Sequence, residues 1–271
     1  MKVSASQIYK LRKITGIGIM DCKKALITSN GKIDEAIHIL RKKGEKIAIN
    51  RPFSKMEYGA IISTINFDYS YGTIIGLSCE TDFLSKNNEF LNFLSILSKK
   101  SLSYKNKEDF LSSFFDEKNS IKKMIVHKIG VVGEKLELKI FDRIDSTFVM
   151  NYTHYNNKIG VLVGFSDKIN ISMAKNIAMH IAAMNPIAID EDNIPNFLIK
   201  KEIEIIKNQV KKEIKSENVI KKMIKGKMKK FVFDNTLLHQ KFIKNEKITI
   251  QEYLNQCNNS IKITFFKRVS I

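Results

Sequence analysis

One ordering of elements occurs twice in this chain, and it limits the folds available more than any single motif does. Residues 58–65 and 72–77 are two β-branched, glycine-punctuated apolar runs around the turn Asp68-Tyr69-Ser70-Tyr71. Such a pair predicts a hairpin. A helical pattern follows over 88–100, then a mostly helical segment over 108–128, then an alternating strand over 135–141. The second round starts with a strand over 146–152, turns at Asn156-Asn157 and returns over 159–164. A helix over 173–184 follows, a short helix over 248–254 comes later, and a closing strand spans 261–266. An isolated hairpin is marginal in water, so each round needs its late strand and its helices to cover one face. The expectation is an α+β fold of two similar subdomains, each an antiparallel sheet with helices on it.

Three short helices precede the first hairpin, over 6–15, 21–29 and 33–43, with Gly16 and Gly18 in the first connection and Gly44 after the third. Each is too short to stand alone and must pack on the others. Residues 42–55, broken by Pro52, have weak periodicity and predict a connector. Between the second round's helix and its closing strand, Ile203, Ile206, Val210 and Ile214 form one apolar seam, and Val219, Met223, Ile224, Met228 and Phe231 form another. Two charged helices with narrow seams predict an antiparallel helical hairpin or two packed core helices.

The net charge is +18, which invites a nucleic-acid reading because lysines beside phosphates release counterions. The lysines are spread over the whole chain, no aromatic RNA-binding motif accompanies them, and Asn, Ile and Lys are abundant throughout. A base-composition bias accounts for that pattern, so no direct nucleic-acid contact is expected. No uninterrupted apolar run is long enough to span a membrane, and the start, Met1-Lys2-Val3-Ser4, lacks the apolar core of a signal peptide. Cys22, Cys79 and Cys257 form neither a disulfide framework nor a zinc pattern. A cytoplasmic protein without a metal or other cofactor is expected.

Chemistry-bearing patterns are few. Gly16-Ile17-Gly18 follows no strand and precedes no Gly-Lys-Ser/Thr, so it matches no phosphate loop. Among His38, His127, His154, His180 and His239 there is no zinc motif and no nucleophile with its base, so no catalytic residue is assigned. His180 lies on an apolar helix face, where a histidine is usually a satisfied core or interface residue. The remaining candidate is Thr81-Asp82-Phe83-Leu84, placed where a strand ends and the chain turns into a helix. Phe83 is either a core anchor, with Asp82 as helix cap, or an outward wedge.

Three stretches carry a resemblance. Cys79-Glu80-Thr81-Asp82-Phe83-Leu84-Ser85-Lys86, the run from Leu11 to Leu26 (LRKITGIGIMDCKKAL) and the run from Lys222 to Phe231 (KMIKGKMKKF) resemble the bacterial elongation factor Ts family. Leu84 stands where Val is commoner, Ile19 where Met is common, and Ser216-Glu217-Asn218 lacks the usual glycine turn. The resemblance implies a guanine-nucleotide exchange factor without catalytic chemistry of its own, acting in translation elongation. Its implied partner is elongation factor Tu, GDP-bound and nucleotide-free, with a dimer of heterodimers among the assemblies it admits. The alternative is a basic ribosome- or RNA-associated protein.

The resemblance also assigns residues. Thr81, Asp82, Phe83 and Leu84 would dislocate the Mg²⁺ of elongation factor Tu. Arg12, Ile19, Met20, Ile129, Gly130 and His180 would bind the partner, although from the residues alone Ile19 and Met20 read as core and Ile129-Gly130 as a turn. The implied organisation is a UBA-like three-helix module (1–45), a linker (46–56), a core N subdomain (57–144), a core C subdomain (145–199 and 232–271) and a helical-hairpin, coiled-coil insert (200–231). Many members continue with a further helix that touches the GTPase; this sequence ends at Ile271, so that contact is expected to be missing or replaced.

Overall fold

The computed structural model describes residues 3–50, 56–210, 217–256 and 260–271. The break at Pro52, the turn at Lys215-Ser216 and Cys257 lie outside them. Three helices come first, α1 (Ala5–Thr15), α2 (Ile19–Thr28) and α3 (Ile33–Asn50). Ser4 starts α1 with a reciprocal cap: its Oγ accepts the Gln7 N–H at 3.2 Å, and Gln7 Oε1 accepts the Ser4 N–H at 3.0 Å. Gly16 ends α1 with φ 71°, a left-handed conformation that costs glycine nothing. Leu11, Ile17, Cys22, Leu26, Ala36 and Leu40 are buried together as the module's core.

The first round of strands and helices follows as β1 (Tyr58–Ile65), β2 (Tyr71–Cys79), the single turn α4 (Asp82–Ser85), α5 (Asn88–Ser101), α6 (Lys107–Ser112), α7 (Ile121–Val132) and β3 (Glu137–Asp145). The sheet order is β1-β2-β3. Phe90, Phe93, Leu94 and Leu97 recur at helical spacing along α5 and are buried against Ile75 and Leu77 of β2 and Ile121, Ile125 and Ile129 of α7. Burying each large apolar side chain contributes roughly 1.5–3 kcal/mol. The segment expected to be mostly helical is two helices, α6 and α7. Between them Asp116 turns the chain by accepting the N–H groups of Lys118 and Asn119 at 2.9 and 2.8 Å.

The second round is β4 (Phe148–Thr153), β5 (Ile159–Phe165), α8 (Ile171–Met184), α9 (Asn196–Val210), α10 (Glu217–Asn235), β6 (Lys241–Phe242), β7 (Asn245–Thr249), α11 (Ile250–Asn255) and β8 (Ile263–Ser270). Its sheet order is β4-β5-β8, antiparallel throughout, with Met150 opposite Val163 and Val163 opposite Phe266. Each round thus adds its late strand beside the returning strand of its hairpin. The α+β class with antiparallel pairing is the one expected. The small β6–β7 hairpin is not legible in the sequence, because two residues of strand give no period. Along α9 and α10, Leu198 and Ile199 pack with Phe231 and Val232, and Lys227 Nζ donates to Gln209 Oε1 at 2.9 Å.

By packing, the chain divides into one unit of Met1–Ile62, Thr73–Arg143 and Ile271, and another of Ser63–Gly72 and Ile144–Ser270. The tip of the first hairpin therefore counts with the second unit. Within that unit the Tyr69 ring stacks on Phe148 at 4.9 Å, Ser146 N–H donates to Ser70 O at 3.0 Å, and Asn151 Nδ2 donates to Ser63 O at 2.6 Å.

Helix α3 departs from expectation. Gly44, read as its stop, lies inside it, and the helix continues to Asn50. Gly44 serves packing instead: a Cβ there would sit 2.9 Å from Val126 O and 3.0 Å from Gly130 Cα. Both neighbours are backbone and cannot swing away, so α3 and α7 touch main chain to main chain. Gly44→Ala is therefore expected to cost about 1–3 kcal/mol. Gly226→Ala, in α10 with nothing within 4 Å of its Cβ position, is expected to stabilise by roughly 0.5–1 kcal/mol. Urea denaturation of the two variants, read for opposite shifts in midpoint, checks this.

Candidate functional site

The Thr81–Leu84 corner is built by the end of β2 and the turn α4. Thr81, with extended φ −123° and ψ 153°, is the N-cap of α4, and its Oγ1 accepts the Leu84 N–H at 3.3 Å. Asp82, expected as the cap, is one residue further on, inside the helical turn. A short turn has little intrinsic stability, so its rigidity comes from outside. The Glu134 carboxylate grips Thr81 twice: Oε2 accepts its N–H at 3.0 Å and Oε1 accepts its hydroxyl at 2.7 Å. Cys79 Sγ donates to Thr81 O at 3.2 Å, and Ser85 Oγ donates to Asp82 O at 2.8 Å. Asn87 then caps α5, accepting the N–H groups of Glu89 and Phe90.

With the backbone fixed this way, Leu84 leans on the core of the first unit, Ser85 is buried, and Phe83 is 85 % exposed. The core-anchor reading of Phe83 is therefore overturned, because the inward positions of α4 are already taken by Leu84 and Ser85. Lys86 Nζ lies 2.9 Å from Asp82 Oδ2 across one helical turn. That hydrogen bond holds the Asp82 carboxyl below its ordinary pKa, so Asp82 is anionic beside the exposed ring.

Glu134 is the residue that sequence reasoning missed. It stands 53 positions from Thr81, and no local pattern connects them. It reaches Thr81 because α7 runs to Val132 and ends at Gly133, whose φ of 76° reverses the chain. From the residues alone Ile129-Gly130 reads as a turn, and the resemblance makes it a partner contact. Both residues instead lie within α7 and are buried, Ile129 in the apolar core and Gly130 against Gly44. Of this segment, Glu134 bonds to the corner, and Lys128, Val131 and Val132 line a cleft with Leu84.

Arg12 lies in the last turn of α1, and Ile19 and Met20 open α2. Arg12 is exposed, as are Ile19 at 49 % and Met20 at 62 %, so neither apolar side chain belongs to the module's core. Gly16, in the same connection, lines one shallow cleft with Leu84, Asn87, Phe90, Lys128 and Val131. The α1–α2 connection and the Thr81–Leu84 corner thus share a wall.

His180 is in the second unit and is fully enclosed. Its Nε2 lies 3.1 Å from Gln240 Oε1, and its Nδ1 accepts the Ile243 N–H at 3.3 Å. Those partners place the proton on Nε2 of a neutral ring. Burial lowers its pKa, partly opposed by the Gln240 hydrogen bond. The surface role expected for His180 is not met in this chain, since Ile177, Ala178, Ile181 and Gln240 share its interior. Among the described residues, no group of three or more His, Cys, Asp or Glu is placed to hold a metal, and no helix is long and apolar enough to cross a membrane.

Comparison with known proteins converges on one family. The family model described as Elongation factor TS matches residues 80–271. Elongation factor Ts of Christiangramia forsetii is 41 % identical over 273 residues, covering 100 % of this chain and 99 % of its own. That of Flavobacterium psychrophilum is 41 % identical over 271 residues, covering 99 % and 98 %. That of Amoebophilus asiaticus is 36 % identical over 275 residues, covering 100 % and 99 %.

Two outcomes are expected. Glu134→Ala removes the acceptor of two Thr81 hydrogen bonds, and bonds to a charged acceptor contribute about 1.5–3 kcal/mol each. Amide exchange at Thr81 and Leu84 should accelerate at least about tenfold, while α8 amides, in the other unit, keep their protection. The second outcome concerns pH. An unfolded histidine titrates near 6.5, whereas folded His180, and likewise His127, lowered by burial first and then by the charges of Arg41 and Lys128, is held lower. Below about pH 6.5 the unfolded chain binds protons that the folded chain refuses, so stability falls as pH drops. His180→Gln should flatten that slope between about pH 6.5 and 5 in urea denaturation.

Proposed function

Because the chain belongs to the elongation factor Ts family, we propose that it is a guanine-nucleotide exchange factor. It binds elongation factor Tu, GDP-bound and nucleotide-free, and speeds GDP release in translation elongation. The observation that carries this reading is Phe83, 85 % exposed at a corner tied down on both sides. An exposed aromatic on a rigid support suits insertion into another protein, because docking orders almost nothing that was not already ordered. Burying the ring contributes roughly 1.5–3 kcal/mol.

The step is mechanical. Phe83 enters the GTPase near its magnesium site, and anionic Asp82 engages the neighbouring backbone or a cation. Thr81 and Leu84 keep the turn from yielding. Mg²⁺ demands near-ideal octahedral geometry, so a small displacement of its ligands weakens ion and nucleotide together. By linkage, the factor weakens GDP to the same degree that GDP weakens the factor. Arg12, Ile19 and Met20 supply docking energy from the three-helix module, which is the UBA-like element of this reading. Ile129, Gly130 and His180 act from inside, as supports of the surfaces above them. The antiparallel hairpin of α9 and α10 is the coiled-coil insert. No group of this chain undergoes covalent chemistry.

Release of a fluorescent GDP analogue from elongation factor Tu, with and without this protein, tests the proposal. Stimulated release should be slowed about 10–100-fold by Phe83→Ala, the range that roughly 1.5–3 kcal/mol of lost contact produces. The thermal midpoint should not move, since the ring supports none of the fold. No stimulation by the unaltered chain would refute the exchange reading, and undiminished stimulation by the variant would refute the wedge.

A further inference from the structure

Along the sequence the lysine surplus is scattered; on one helix, folding gathers it. Helix α10 carries six lysines, Lys221, Lys222, Lys225, Lys227, Lys229 and Lys230, against two carboxylates, Glu217 and Asp234. At about 100° per residue these do not spread evenly. Ile224, Met228 and Phe231 fall on the packed side and are partly buried, and Lys227 flanks them with its bond to Gln209. Lys221, Lys225 and Lys229 rise one turn at a time along the other side, with Lys222 and Lys230 beside them, and all five are exposed. Successive ammonium groups in the central row are based about 6 Å apart along the axis. Glu217 stands one turn before Lys221 on the same ladder and Asp234 one turn after Lys230, so the two acidic positions lie at the ends of the stretch and none falls between Lys221 and Lys230. Phe233 falls on the side of the central row; it is 41 % exposed, with Lys229 Nζ 5.8 Å from its ring centre.

We infer that this face of α10 is a docking surface for an RNA strand, an interaction separate from nucleotide exchange. The row of cations fits a ligand that repeats a negative charge along a line, as a phosphate backbone does. An acidic protein is the poorer fit, because protein interfaces are depleted in lysine and are built around an apolar centre that this face lacks. The exposed aromatic at the end of the row offers a surface for a base to stack on, the usual companion of a basic groove in single-strand binding. Lysine rather than arginine suits contacts with phosphate that do not read sequence.

The test compares two variants of the full chain with equal net charge. One is Lys221→Gln with Lys225→Gln and Lys229→Gln; the other is Lys99→Gln with Lys118→Gln and Lys122→Gln, three exposed lysines of the first unit. Glutamine and lysine have similar helix propensities, and far-UV circular dichroism confirms that α10 is retained. Binding of a fluorescein-labelled oligouridylate of about 20 nucleotides is followed by anisotropy from about 50 to 200 mM KCl. The α10 variant should bind at least about tenfold more weakly, with a log–log salt slope shallower by about 2, and the control should change less than about threefold. Equal weakening in both would mean that only whole-molecule charge matters, and the inference fails. It also fails if the unaltered chain does not bind at the lowest salt, or if polyglutamate displaces the oligonucleotide as well as unlabelled oligouridylate does.

Discussion

A phenyl ring left in water normally turns inward, and the first unit is arranged so that Phe83 cannot. Its backbone neighbours are committed: Thr81 to the Glu134 carboxylate, Leu84 to the apolar core, and Ser85 to a buried position under the turn. Once those three are fixed, the geometry of a single helical turn directs the side chain between them outward. The rest of the unit serves this arrangement. Helix α7 must be long enough to deliver Glu134, its packing against α3 must be close enough to hold it still, and α5 must start under its own Asn87 cap directly after the corner. The two carboxylates near the ring are used differently. That of Glu134 is spent on Thr81, whereas that of Asp82, bonded to Lys86 across an exposed turn, faces solvent.

Legibility in the sequence followed the range of the interaction. The doubled order of hairpin, helices and late strand could be read because strand alternation and helical spacing are local, and each sheet does include its late strand. The place of the Thr81–Leu84 corner could be read for the same reason, but the direction of Phe83 could not. It is set by Glu134, on an element that no local pattern ties to β2. Glycine misled twice. Gly44 and Gly130 look like stops, yet each lies within a helix because the other is opposite, and such a pairing is invisible until the two helices are placed. His180 was narrowed to core or interface, and the choice fell to the core through Gln240, sixty positions away.

Net charge shows the same difference between composition and placement. A surplus of eighteen positive charges constrains little while it is only a total. Helical periodicity puts the lysines of α10 on the side left over after its apolar seam has packed, so one helix becomes directional although the chain as a whole does not. At the corner of the first unit, by contrast, Asp82 pairs with Lys86 and Glu134 holds Thr81.

The first hairpin belongs to two bodies at once. Ser63–Gly72 completes the second unit through Tyr69, Ser70 and Ser63, and Ile271, the final residue, counts with the first. Neither body is therefore a continuous length of polypeptide, and severing the chain at one bond cannot release either of them intact. During synthesis the hairpin tip emerges long before β8, the third strand of the sheet in its unit. Independent evolution of the two halves by shuffling is closed to a chain wired this way, since each half would arrive without a piece that only the other supplies.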